Sequence, residues 1–192
     1  MNRHVEPVVG TDVVIVNTAA RAGRWQFRRV HRVATLFITC GLQAAGKTTL
    51  ARRLEREQSA LRLTADEWLR ELHPSLPGVE LEPQRDGVEQ VQWSTAIRLL
   101  VLGCNVVLDW GLWLRQERDH YRSQARAHGA GVVLCVLDTP LEERWERLSR
   151  RDAGLPADTF LPITWAEFKA TAALFQRPTP DELGLFDQLS GS

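Results

Sequence analysis

Lysine is nearly missing from this chain: of 24 basic residues in 192, only Lys47 and Lys169 are lysines and the rest are arginines. Net charge is missing too, because 24 acidic residues balance those 24 basic ones. No global field therefore draws the protein to nucleic acid or to an anionic membrane. No apolar run approaches the ~20 residues that span a bilayer, and no secretory signal is seen, which points to the cytoplasm and to no membrane partner. The few cysteines, Cys40, Cys104 and Cys135, sit in or beside apolar runs without metal-ligand spacing. That pattern predicts buried, reduced thiols rather than a disulfide framework or a zinc site. Neither an internal repeat nor a low-complexity tract is present, and the length suits one α/β domain with small excursions.

What the sequence does contain is concentrated at one place. Gly41-Leu42-Gln43-Ala44-Ala45-Gly46-Lys47-Thr48 has the spacing GxxxxGK[ST], followed by Thr49. Successive backbone N–H groups in such a loop curl around phosphates, and the glycines remove side chains that would block close approach. Lys47 then reaches the outer phosphates, and the Thr48 hydroxyl is suited to a magnesium ion. The context fits: an apolar strand, Thr35 to Cys40, precedes the loop, and Leu50, Ala51 and Leu54 recur at helical spacing after it. In a chain that otherwise uses arginine, a lysine at position 47 is informative, since a compact ammonium enters a cavity that a planar guanidinium does not fit.

Along the chain, the spacing predicts strands at Leu61–Thr64, Val106–Asp109 and Val132–Leu137, with a short candidate strand at Leu183–Phe186. Helices are expected after Asp66, over Val88–Leu102 (with Val88, Val91, Thr95, Leu99 and Leu102 in phase), over Leu114–His128, from Thr139, and from Thr164 toward Phe175. Gly103 and Gly129 are placed to end two of them. Thr139-Pro140-Leu141-Glu142 and Thr164-Trp165-Ala166-Glu167 both read as capping patterns. The proline-containing stretch His73–Pro83 reads as a loop over a ligand cleft, and Asp152–Pro162 as a loop of lid size, so a lid is expected around residues 150–163. Residues 1–34 do not match the rest: Val8–Val16 suits a strand, and Arg21–Arg32 is a basic arm with Trp25 and Phe27. Such an arm suits a phosphate-bearing partner and equally suits a poorly ordered terminus. Strand and helix alternate with crossovers that imply a doubly wound, mostly parallel sheet, an α/β fold of the P-loop NTPase type, with ligands beyond the carboxyl ends of the strands.

Asp66 and Asp109 each follow a predicted strand and so share the rim of the phosphate loop. Asp66 suits a base or orienting group for a substrate hydroxyl, or else a helix N-cap. Asp109 ends an apolar strand, where a carboxylate holds magnesium directly or through water. Its neighbour is Trp110 rather than a water-activating glutamate, and an indole makes a better wall for an organic acceptor. Trp68 and Trp113 belong near the same rim, and Arg115 and Arg118 are candidates to grip an anionic substrate. Arg144, Arg147, Arg150 and Arg151 recur on the helix leading to the expected lid. Arg147 and Arg150 are the candidates to close on the transferring phosphoryl group, while i, i+4 pairing with Glu143 and Glu146 is the structural alternative.

On the strand and loop TLFITCGLQAAGKTT, the segment LTADEW, VVLDWGLWLRQERD, VLDTPLEERWERLSRR and the closing FQRPTPDE, the chain resembles small bacterial P-loop kinases. These are related to polynucleotide 5′-kinase, zeta-type toxins and chloramphenicol phosphotransferase, and are often labelled predicted kinases or AAA-type ATP-binding proteins. The resemblance covers about Thr35 to Asp187. It implies that Asp66 is the base toward the acceptor hydroxyl and that Arg147 or Arg150 is a lid arginine. Nucleic-acid 5′-kinases of this group keep an arginine three residues past that aspartate, where this chain has Leu69. The expectation is a phosphotransferase, with ATP and magnesium as cofactors, that phosphorylates a hydroxyl of a small molecule. The alternatives are a nucleic-acid 5′-hydroxyl kinase, and an ATPase or switch acting on water or a protein partner.

Overall fold

The computed structural model describes residues 33–76, 78–154 and 163–189. The amino-terminal arm and most of the expected lid lie outside the described residues. Four strands, β1 (Thr35–Cys40), β2 (Ala60–Leu63), β3 (Asn105–Gly111) and β4 (Gly131–Val136), pair in the order β2-β3-β1-β4, and every pairing is parallel. Eight α-helices, α1 (Lys47–Glu57), α2 (Ala65–Leu72), α3 (Gly78–Leu81), α4 (Arg85–Val101), α5 (Arg115–Ala127), α6 (Leu141–Asp152), α7 (Trp165–Ala173) and α8 (Pro180–Leu183), and one 3-10 turn at Glu82–Gln84 complete the described elements.

The strands are apolar on both faces because both are covered, as parallel sheets require. On one face Leu36, Ile38, Leu63, Val106, Leu108 and Val132 pack with Ala96 and Leu100 of α4, Ala125 of α5 and Phe186 of the tail. On the other, Phe37, Val107 and Val133 pack with Ala51 and Leu54 of α1. Asn105 pins the entrance edge, accepting from Thr35 N–H at 2.9 Å and donating to the Gln58 carbonyl at 2.7 Å. Gly103 and Gly129 stand just past α4 and α5 with φ of 86° and 78°, where the sequence puts the helix ends.

Several expectations are corrected. The stretch His73–Pro83 is no plain loop, since α3 and a 3-10 turn at Glu82–Gln84 lie within and beyond it. The buried stripe of α4 runs Val88, Gln92, Ala96, Leu100, whereas Val91 and Leu102 are exposed. Val91 and Leu102 belong to a different helical face, and the buried one carries a glutamine. Leu183–Phe186 does not pair as a strand: Thr179 accepts the Glu182 N–H at 3.3 Å, and Pro180 starts the short helix α8. Thr164 with Glu167 forms the capping box expected of α7. Thr139 does not cap α6, because its hydroxyl donates to the Ala45 carbonyl at 3.0 Å.

The thiols also differ from expectation, since Cys40 is buried and Cys135 half-buried but Cys104 is exposed. Burial pushes both Cys40 and Cys135 up to about 11. A thiol that must lose its proton in an apolar setting reacts slowly. Iodoacetamide at about pH 8 is therefore expected to modify Cys104 alone in the native protein, and all three thiols after denaturation. Mass spectrometry of tryptic peptides checks this, and rapid native labelling of Cys40 would contradict the core described.

Candidate active site

The phosphate loop runs from the carboxyl end of β1 into α1. Gly41 N–H donates to the Gly111 carbonyl at 3.0 Å, and Ala45 N–H to the Leu42 carbonyl at 3.3 Å. Ala44 at φ 59° and Gly46 at φ 97° lie in the left-handed region, so the chain curls back on itself before the helix. The N-terminus of α1 has no side-chain cap and no acidic residue in its first turn, whereas every other described helix carries an acid there. Its amides and positive dipole end are left for an external anion. Lys47 Nζ donates to the Leu42 carbonyl at 2.8 Å. Burial lowers its pKa, opposed by Asp109 and Asp66. Both carboxylates are thus within electrostatic reach of the lysine. Thr48 and Thr49 are exposed at the start of the helix.

Asp109 lies inside β3, its side chain 1% exposed. Oδ2 accepts from the Thr64 hydroxyl at 3.3 Å and stands 3.9 Å from Arg62 Nη1, and Arg62 also bonds to Thr64. Burial raises the Asp109 pKa, opposed first by the Thr48 hydroxyl and then by Lys47 and Arg62. Oδ1 is buried without a hydrogen-bond partner. An ionisable oxygen left so is costly unless something else binds it. A carboxylate oxygen and a hydroxyl facing one another are hard donors of the kind magnesium takes, so the residues present fit that ion.

Asp66 is in the first turn of α2 but does not cap it, because Thr64 holds the cap position. Its side chain is 58% exposed and accepts from Arg85 Nη2 at 2.7 Å. Arg85, which sequence reasoning missed, is a hub: it also pairs with Glu82 at 2.9 Å and approaches Glu89 at 3.6 Å. Glu89 is raised by burial, and Asp86 adds to the shift. The sign of this corner is therefore negative. No motif marks Arg85, since its role comes from α4 packing beside α2.

The aromatic candidates converge unequally. Trp110 is half-buried, donates its indole N–H to Gln92 Oε1 at 2.8 Å and meets Tyr121 edge-on at 5.3 Å. Trp68 packs against two core clusters with one side. Trp113 donates its indole N–H to the Gly41 carbonyl at 3.2 Å, so it serves the phosphate loop. Arg115 is at the surface, its Nε 3.6 Å from Asp119 Oδ2. Arg118 must be corrected: it is fully buried and fully bonded inside the protein, and grips no substrate.

The arginines of α6 divide. Arg144 is the buried one, donating to the Thr139 carbonyl at 3.1 Å and to Gln43 of the phosphate loop at 3.5 Å, over the Phe168 ring. Arg147 is exposed and paired with Glu143, yet Nη1 is only 3.7 Å from where a Cβ on Gly46 would be. It stands beside the loop. Arg150 is exposed further along the helix.

Residues 36–178 match a family model described as AAA domain. No curated protein matches the sequence. Among solved structures, the chain is similar to one in the Pnkp1/Rnl/Hen1 RNA repair complex, with 23% identity over 82% of this chain and 47% of that one, at a TM-score of 0.57. This chain thus spans about half the length of that relative. A candidate kinase of Chloroflexus aurantiacus is similar with 18% identity over 67% of this chain and 74% of that one, TM-score 0.57. Kti12 of Chaetomium thermophilum, in complex with ADP-AlF3, is similar with 18% identity over 76% and 82%, TM-score 0.55.

Gly111 concentrates the constraints of this site. Its φ is 96°, and an added Cβ would meet Lys47 Cε at 3.1 Å, the Gly41 carbonyl oxygen at 3.2 Å and Trp113 Nε1 at 3.3 Å. Gly111→Ala is expected to weaken nucleotide binding by about tenfold or more and to lower the thermal midpoint, from backbone strain of roughly 1–3 kcal/mol. Titration with a fluorescent ADP analogue checks this, and unchanged affinity would show that the lysine is not held by this turn.

Proposed function

The chain belongs to the AAA-domain family that its residues 36–178 match, and we propose that it is a kinase that moves the γ-phosphoryl group of ATP to a hydroxyl of a small molecule. One observation carries this reading. The phosphate loop with Lys47 shares its rim with two carboxylates in different settings, Asp109 buried beside Thr48 and Asp66 exposed beside Arg85. A nucleotide-binding module needs only the first of these.

The roles follow from position. The amides of the loop and of the first turn of α1, with Lys47, hold the phosphates. Thr48 and Asp109 are the residues that would hold magnesium, which supplies neutralisation of phosphate charge when bound. Asp66 orients the acceptor hydroxyl and takes its proton as the hydroxyl oxygen bonds to the γ-phosphorus and the bridging oxygen leaves with ADP. Arg147, released from Glu143, completes the charge clamp, with Arg150 the further candidate. Trp110 stands where a hydrolase would keep a water-activating glutamate, and its ring with Tyr121 offers an apolar wall.

The charge of the acceptor side speaks to the kind of acceptor. The carboxylates of Asp66, Glu82 and Glu89 lie about the guanidinium of Arg85, and Asp86 adds negative charge beside Glu89. A polyanion such as an oligonucleotide would be repelled there, and a neutral or amine-bearing hydroxyl compound would not. This favours small molecules over nucleic-acid ends.

Incubation with magnesium, γ-labelled ATP and a panel of nucleosides, hydroxylated antibiotics, sugars, amino sugars and 5′-hydroxyl oligonucleotides tests the reading. Label is expected on a small neutral or basic hydroxyl compound. Asp66→Asn should reduce transfer by about a hundredfold or more, the scale of general base catalysis, with ATP affinity nearly unchanged. Phosphate release independent of every acceptor would sink the kinase reading, and transfer to oligonucleotides alone would sink the small-molecule one.

A further inference from the structure

The guanidinium of Arg118 makes one hydrogen bond for each of its five N–H groups. Two go to the carboxylate of Glu182, from Nε at 2.6 Å and Nη2 at 3.0 Å. Nη2 also donates to the Gln176 carbonyl at 2.9 Å, and Nη1 to the carbonyls of Leu112 at 3.1 Å and Trp113 at 2.9 Å. Arg118 is 0% and Glu182 1% exposed. A fully buried ion pair is a weak source of net stability, because its attraction must first offset the desolvation of both charges. The five hydrogen bonds do fix a geometry here, and two of them fix the turn after β3.

That turn is an unusual piece of chain. Gly111 at φ 96° is followed by Leu112 at φ 31°, a left-handed conformation that a branched residue rarely takes. Arg118 holds it from behind, and the buried Cys40 thiol donates to the same Leu112 carbonyl at 3.6 Å. The tail closes the other side, since Gln176 N–H donates to the Trp113 carbonyl at 3.0 Å and Gln176 Oε1 accepts from Arg115 N–H at 2.9 Å. In front, the turn touches the phosphate loop three times. Gly111 accepts from Gly41 N–H, Trp113 donates to the Gly41 carbonyl, and Lys47 Cε lies so close that a Cβ on Gly111 would stand 3.1 Å from it.

We infer that Arg118, Glu182 and Trp113 are positioning residues for nucleotide binding: the carboxy-terminal helix α8, through its buried Glu182, braces the β3–α5 turn that holds Gly41 and Lys47 in place. The tail lies outside the sheet and is nonetheless part of the nucleotide site. This deepens the nucleotide-binding half of the reading above and does not depend on the acceptor.

The test compares nucleotide affinity with stability. Binding of a fluorescent ADP analogue is measured for Glu182→Gln, Trp113→Phe and their double variant, well below each unfolding midpoint. Glu182→Gln is expected to raise Kd by roughly threefold to thirtyfold, the range of couplings carried through packed networks. Trp113→Phe, which keeps a ring and loses only the donor, is expected to raise it in the same direction. Because both act through one turn, the double variant should match the weaker-binding single variant rather than multiply the two effects. The control is Asp187→Asn on the same tail, whose carboxylate bonds Val132 N–H and Arg126 away from the turn. It should lower the thermal midpoint and leave Kd within twofold.

A fall in midpoint for Glu182→Gln with unchanged Kd would falsify the brace, as would multiplying effects or a control that weakens binding equally. If Glu182→Gln does not fold, Trp113→Phe decides, and an unchanged Kd there overturns the inference. Failure of label transfer to every acceptor, beside the expected pattern of Kd values, would remove the kinase reading and leave the brace standing. A wild-type protein that binds no ADP would overturn both.

Discussion

A single backbone hydrogen bond, from the Gly41 N–H to the Gly111 carbonyl at 3.0 Å, ties the first residue of the phosphate loop to the last residue of β3. Below it the two strands run in register from Leu36 against Val106 to Ile38 against Leu108. Above that point Cys40 faces Gly111, so β3 has taken one residue more than β1 over the same rise. A bulge of this kind re-aims the side chains around it. Asp109 ends beside Thr64 and Lys47 on one side, and Trp110 beside Gln92 and Tyr121 on the other. The layout of the rim, with Asp109 toward Lys47 and Trp110 toward Gln92 and Tyr121, depends on that extra residue being absorbed before the strands end.

Charge is divided across the same rim. The N-terminus of α1 is kept clear of acids, and Lys47 with Arg144 and Arg147 stands around the loop that would receive a triphosphate. Where α2 and α4 meet, Asp66, Glu82 and Glu89 gather about Arg85, with Asp86 adding charge beside Glu89. Neutral totals conceal this separation. The rim thus carries two patches of opposite sign, where a uniform field would carry one.

The phosphate loop, the four strands and most helix ends were legible because each is written locally, in an apolar run, a glycine or a capping residue. The reading failed where partners distant in sequence decide the outcome. In DWGLWLRQERD Arg118 reads as a candidate to grip an anionic substrate, and only the arrival of Glu182, 64 residues away, makes it interior. Leu183–Phe186 has the composition of a strand, but Thr179 and Pro180 just before it start a helix. Arg85 carries no motif and gains its place from α4 lying along α2. Gln92 carries no motif either, yet it is fully buried, its Oε1 accepting from the Trp110 indole N–H.

The scarcity of lysine now has a physical reading. Arg118 satisfies five acceptors, and Arg62 serves Glu55, Glu67 and Thr64 at once. Arg85 bridges three carboxylates. Each of these positions needs a planar fork of donors that stays charged when buried. The place beside Gly111 needs the reverse: a slender methylene chain passing within about van der Waals distance of a turn, and a head group small enough to share its cavity with phosphate. Burial there lowers the lysine's pKa, opposed by the neighbouring carboxylates of Asp109 and Asp66, and a compact ammonium on a slender stem sits where a broad guanidinium would crowd the turn.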